Sequence, residues 1–118
     1  MTLVLIAALI AQPATTTWKC TPARMVECNI TGCEERTPTT WFELDERRKA
    51  YRRCDAKGCD AYTADVHLSG MFTIYELRGR ATMLKMSSDL RQFIDVATSG
   101  VSAFVNTGSC APLAPRKG

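Results

Sequence analysis

From Phe72 onward, short runs of apolar or alternating residues are cut by Gly, Ser and Asp at roughly ten-residue intervals. Phe72-Thr-Ile-Tyr-Glu-Leu77 is rich in β-branched and aromatic side chains and ends at Arg78-Gly79. Ala81 to Met86 follows and stops at Ser87-Ser88-Asp89; then come Gln92 to Thr98, a Ser99-Gly100 turn, and Val101 to Val105. This is the pattern of strands with one covered face, so the second half predicts an antiparallel β-meander. The segment from Trp41 to Cys54 is less decided. Glu43 and Arg47, or Asp45 and Lys49, stand four apart and would support a helix. A hairpin is favoured instead, with Phe42 to Leu44 going out, a charged turn over Asp45 to Lys49, and Ala50 to Cys54 returning.

The strongest local signal is a repeat. Cys28-Asn-Ile-Thr-Gly-Cys33 followed by Glu34 aligns with Cys54-Asp-Ala-Lys-Gly-Cys59 followed by Asp60. Asn29 and Asp55 can bond backbone groups two residues ahead, and Gly32 and Gly58 can take positive φ without a Cβ penalty. Each motif therefore predicts a hairpin turn with a cysteine on either side, close enough to bridge. Six cysteines allow fifteen pairings, crossed ones among them. The repeat favours Cys28 with Cys33 and Cys54 with Cys59, which leaves Cys20 for Cys110 and ties the first strand to the last. The Cys-x4-Cys spacing fits neither a zinc ribbon nor a thioredoxin-type site, both of which use Cys-x2-Cys. The chemistry expected of these six residues is structural, and no cofactor or metal is expected.

Residues 1–14 carry no charge, and the apolar run from Leu3 to Ala11 is nine residues long. As a helix it would measure about 14 Å, against about 30 Å for a bilayer core. It reads as the hydrophobic part of a secretory signal peptide, so the domain is expected to begin at residue 15. Cys20 follows Thr17-Trp18-Lys19 and lacks the small, aliphatic context of a lipidated cysteine, so no stable membrane anchor is expected. Export and an even cysteine count point the same way, towards a secreted or periplasmic protein with disulfides. Residues 111–118 contain two prolines and are expected to form a disordered tail after a domain spanning 15–110.

Composition sharpens this reading more than it directs it. The chain has 118 residues, 46% of them apolar, with a net charge of +3, which suits one small domain and excludes a disordered chain. Removing the leader lowers the apolar share, so the cysteines act as compensation for a lean core. The fold expected is mainly β, a small antiparallel meander or partly closed barrel stapled by disulfides.

Candidate chemistry is sparse. The run containing Arg47, Arg48, Lys49, Arg52, Arg53 and Lys57 is interleaved with Glu43, Asp45, Glu46, Asp55 and Asp60. It reads as a solvated, salt-bridged edge, and nucleic acid is not an expected partner. His67, the single histidine, lies between Val66 and Leu68 with no nucleophile nearby and reads as a strand residue. Met71, Met83 and Met86, with Phe72, Phe93 and Phe104, read as core.

Around Tyr51-Arg-Arg-Cys54-Asp-Ala-Lys-Gly58-Cys59-Asp60 and the closing Gly108-Ser-Cys110, the chain resembles small exported proteins of alphaproteobacteria. Tyr51 and Cys54, Ser69-Gly70 with Phe72, and Arg78-Gly79 with Ala81 resemble, more distantly, the motifs of periplasmic C-type lysozyme inhibitors. In those small β-barrels a Ser of the second motif and a basic residue of the third enter the enzyme cleft. The resemblance implies Ser69 and Arg78 as inhibitory contacts and a muramidase as protein partner. The leading expectation is a non-enzymatic exported binding or envelope-associated protein. The alternatives are that inhibitor and a small secreted hydrolase using carboxylates or His67.

Overall fold

A computed structural model describes residues 17–113. Ten strands make up the secondary structure of that segment: β1 (Thr17–Asn29), β2 (Gly32–Arg36), β3 (Trp41–Asp45), β4 (Ala50–Asp55), β5 (Gly58–Thr63), β6 (Asp65–Ser69), β7 (Phe72–Leu77), β8 (Thr82–Ser87), β9 (Gln92–Ser99) and β10 (Ser102–Pro112). They form one antiparallel sheet in the order β5-β4-β3-β1-β10-β9-β8-β7-β6, with β2 also paired to β1. The two ends of that order, β5 and β6, adjoin in the chain through buried Ala64, whose N–H bonds the Lys49 carbonyl at 2.8 Å. The sheet thereby curls into a nearly closed barrel stapled by three disulfides.

The hairpin reading of Trp41 to Cys54 holds: β3 and β4 pair from Trp41 opposite Cys54 to Asp45 opposite Ala50. Both cysteine repeats form the clipped turns their residues dictate. Thr31 N–H donates to Asn29 Oδ1 at 2.9 Å, and Lys57 N–H donates to Asp55 Oδ1 at 2.8 Å. Gly32 and Gly58 take φ of 142° and 136°. The ladder continues through Asn29 opposite Gly32 and Asp55 opposite Gly58, so each loop tip is two residues, shorter than the cysteine spacing suggested. Cys28–Cys33, Cys54–Cys59 and Cys20–Cys110 are all bonded, and each pair sits directly opposite across a ladder.

β1 and β10 are the axle of the fold. Thr17 to Cys20 pair with β3, while Met25 to Asn29 pair with β2 on the same edge, and nearly all of β1 pairs with β10 on the other. Two strands can share one edge because β1 has 13 residues. A bulge at Ala23 shifts the register between Pro22 and Arg24. It also explains why Asn106-Thr-Gly108-Ser, which resembles a turn, is the middle of a strand. Gly108 lies opposite Pro22, and a Cβ there would come within 2.8 Å of Ala23 N and 2.9 Å of Pro22 Cα. Backbone cannot swing aside as a side-chain tip can, so Gly108→Ala is expected to cost about 2 kcal/mol or more. The urea midpoint checks this; an unchanged midpoint would mean that the bulge relaxes freely.

The strand also runs further than expected at its end. Ala111 and Pro112 pair with Lys19 and Trp18, and Leu113 N–H bonds the Thr17 carbonyl at 3.0 Å, so the expected tail does not begin at 111. Residues 114–118, like the expected leader at 1–14, lie outside the described residues.

Inside the barrel, Cys20, Phe42, Leu44, Tyr51, Tyr75, Leu84, Met86, Phe93 and Cys110 form the core. Phe42 holds its centre, with ring centroids 5.7 Å from both Tyr51 and Phe93. The Met and Phe set is split by strand parity. Met86 and Phe93 are buried, but Met71, Met83 and Phe72 are on the exposed surface.

Candidate functional site

Alternation along three strands turns polar side chains into the barrel. On β9, Phe93, Asp95 and Ala97 face inward and are buried; on β10, Asn106 does the same between Phe104 and Gly108. On β4, Tyr51 and Arg53 share the inner parity. Register sets Asn106 opposite Asp95 on one side and opposite Met25 on the other. Tyr51 Oη donates to Asp95 Oδ2 at 2.7 Å. Asp95 is 0% exposed and Asn106 1%.

Their hydrogen-bonding capacity is only partly used. Asp95 Oδ1 and both side-chain amide atoms of Asn106 lack a partner among the described residues. An unmade bond of this kind costs about 1–3 kcal/mol, and Trp18 Nε1 and Tyr75 Oη also lack a partner among the described residues. Burial pushes the Asp95 carboxyl up to about 6, against the opposing effects of the Tyr51 hydrogen bond and the Arg53 charge. Burial, together with the Asp95 charge, pushes the Tyr51 hydroxyl up strongly.

Above this polar layer the barrel mouth opens into a recess of about 460 Å³ lined in part by Met25, Tyr51, Ala97 and Phe104; Asp95 and Asn106 do not line it but lie one inward-facing position below Ala97 and Phe104, under its floor. Thr39, Thr40, Thr82, Thr98 and Ser99 supply hydroxyls to its walls, and Leu77, Ala97 and Phe104 supply apolar surface. Two arginines stand in the mouth. The Arg53 guanidinium is 5.9 Å from the Phe42 ring centroid, and that of Arg80 is 4.6 Å from the Tyr62 centroid. Arg24, Arg36, Arg48, Arg52 and Arg78 each approach a carboxylate within 4.0 Å. Among the described residues, Arg47, Arg53, Arg80 and Arg91 make no such ion pair, and of these Arg53 and Arg80 line the recess.

The basic run is therefore two surfaces, and the expectation of one solvated edge needs correcting. Arg52 pairs with Glu43 at 3.6 Å on the outer face, whereas Arg53, one residue on, turns into the mouth. Asp95 and Asn106 were missed. A carboxylate at alternate spacing between Phe93 and Ala97 was the available signal, and Asn106 fell just beyond the run read as a strand, Val101 to Val105.

The opposite end of the barrel carries an open groove of about 760 Å³ with Ser69, Met71, Phe72, Lys85, Leu90 and Ile94 among its walls. Beside it Leu68 is 80% exposed and Leu90 68%. Ser69 lies here, at the β6–β7 turn opposite Phe72. Arg78 lies at the far end of the same hairpin and pairs with Asp65 at 2.6 Å. The two residues taken together as inhibitory contacts thus lie at opposite ends of one hairpin, six residues of ladder or about 20 Å apart at 3.4 Å per residue. His67 is on the outer surface, with Nε2 3.5 Å from Glu76. Glu43, Cys54 and Cys59 bring possible ligand atoms within 4.8 Å of one another, but the two sulfurs are bonded together and offer no thiolate.

Fold and mouth together define a disulfide-stapled antiparallel β-barrel with a polar recess at one end. No protein-family model, curated protein or solved structure matches the chain. Three disulfides in so small a domain suit an oxidising environment. No helix among the described residues is long and apolar enough to cross a membrane.

Proposed function

We propose that this protein is an exported, non-enzymatic binding domain, secreted or held in the periplasm, with the barrel-mouth recess as its ligand site. One observation carries the reading: the recess lies over Asp95 and Asn106, whose buried polar atoms lack partners. A polar ligand over that floor would place its dipoles or charge beside groups whose polarity the protein itself leaves uncompensated. Small barrels commonly hold one small ligand in this position. The inhibitor alternative would have Ser69 and Arg78 act from opposite ends of one hairpin, and the hydrolase alternative would rest on carboxylates or on the exposed His67 beside Glu76.

The test is a screen of small polar compounds by amide chemical-shift mapping on the oxidised protein. Ligands are expected to move the signals of Met25, Tyr51, Thr82 and Thr98. Asn106→Leu, which fills the floor with an apolar side chain, should weaken them at least tenfold. Binders that gather around Ser69 and Leu90 would replace the recess with a protein-docking surface. Turnover of a bound compound would replace the reading with the hydrolase.

A further inference from the structure

We infer that the recess takes a small organic carboxylate, held by its anionic group between Arg53 and Arg80. The inference rests on the recess being the ligand site and adds the class of ligand. Its basis is the contrast among the arginines. Five of them spend their charge on carboxylates at the surface; of the four described arginines with no acid within 4.0 Å (Arg47, Arg53, Arg80 and Arg91), only Arg53 and Arg80 converge on one recess, each against an aromatic ring. Asp60, the cross-strand neighbour of Arg53, is exposed and forms no ion pair with it. Stacking leaves the edge of a guanidinium free, and that edge carries the paired donors that match a carboxylate.

The ligand's charge and body follow from the surroundings. Asp95 lies beneath the mouth, near enough to Arg53 for each charge to affect the other. When ionised it leaves the site about one positive charge in excess, which suits a monoanion better than a doubly charged phosphate ester. Threonine hydroxyls beside Met25, Leu77 and Phe104 suit a body with both polar and apolar surface, such as a sugar acid or an aromatic acid. A volume of about 460 Å³ accommodates either.

The experiment compares acids with neutral molecules of the same body: glucuronate with glucose, and benzoate with benzamide. Each is titrated into the oxidised, ¹⁵N-labelled protein at low and moderate salt. At least one acid is expected to bind tenfold or more tightly than its neutral counterpart, to shift the Arg53 and Arg80 Nε–H signals, and to weaken as salt rises. Arg80→Gln, on an exposed side chain, should weaken that acid about tenfold. Arg53→Lys, which keeps the charge without the fork, should give a smaller loss than Arg53→Gln, whose dispersed spectrum would show that it still folds. Arg78→Gln, outside the recess, should leave binding unchanged.

Equal binding of acid and neutral partner, with shifts still in the recess, would overturn the carboxylate assignment and leave the recess as the site. Tighter binding of glucose 6-phosphate than of glucuronate would also overturn it, in favour of a dianion. No binding in the recess by any of these compounds, nor by the wider polar screen, would overturn both.

Discussion

Replacing Cys20 and Cys110 together with alanine is expected to lower the unfolding free energy by about 4 to 5 kcal/mol, the largest loss of any paired cysteine substitution in this protein. The bond closes a span of 90 residues, whereas each clipped turn closes only five. Loop-closure entropy in the unfolded chain grows with the logarithm of loop length, so removing Cys28–Cys33 or Cys54–Cys59 should cost about 2 kcal/mol each. Packing adds to the difference, because Cys20 and Cys110 are buried against Phe42 whereas Cys33 and Cys59 are exposed. Urea unfolding without reductant, with the other two bridges intact, measures all three. Equal losses from the three pairs would show that the long closure does not dominate.

Asp95→Asn is expected to stabilise the protein at pH 8 by about 3 kcal/mol and to flatten its stability between pH 4 and 7. The carboxyl of Asp95 is held at about 6 in the folded state, mainly by burial, against an ordinary value of 3.8. Folding therefore favours the protonated form. The stabilising contribution is fully present below about pH 4 and is lost as pH rises through 6. Above that, the wild type must hold a buried carboxylate whose nearest compensation is the Tyr51 hydroxyl and the Arg53 charge. An asparagine keeps an acceptor for Tyr51 Oη and removes the charge. Its amide also faces Asn106 across the β9–β10 ladder, where an unpaired side-chain oxygen stands. Urea midpoints of both proteins from pH 4 to 8 provide the check. Parallel profiles would show that Asp95 is not the titrating group.

Much of the architecture was legible because it is local. The period-two alternation from Phe72 to Leu77 and from Gln92 to Thr98 is a property of adjacent residues, and the strands formed there accordingly. The clipped turns were legible for the same reason: Asn29, Gly32, Asp55 and Gly58 act within four residues of themselves. With those two bridges made, the third disulfide had no other partners. The site was far less legible. Arg53 looks like its neighbours Arg48 and Arg52 in a list of charges, and only strand parity separates them. Ser69 and Arg78 looked near because nine positions separate them, yet a hairpin carries one to each end of its strands.

By itself, then, the sequence determined the β class, the turns, the cysteine pairing and the oxidising setting that pairing suits, since each depends on spacings of a few residues or on simple elimination. Only the tertiary structure decided which strands meet. It set β1 against both β2 and β3, drew β10 through Gly108 past the Ala23 bulge, and curled the sheet until Tyr51 reached Asp95. Those two residues are 44 apart in sequence, and nothing local signals their contact. It arises from strand order and barrel closure, which the packing of the whole sheet sets.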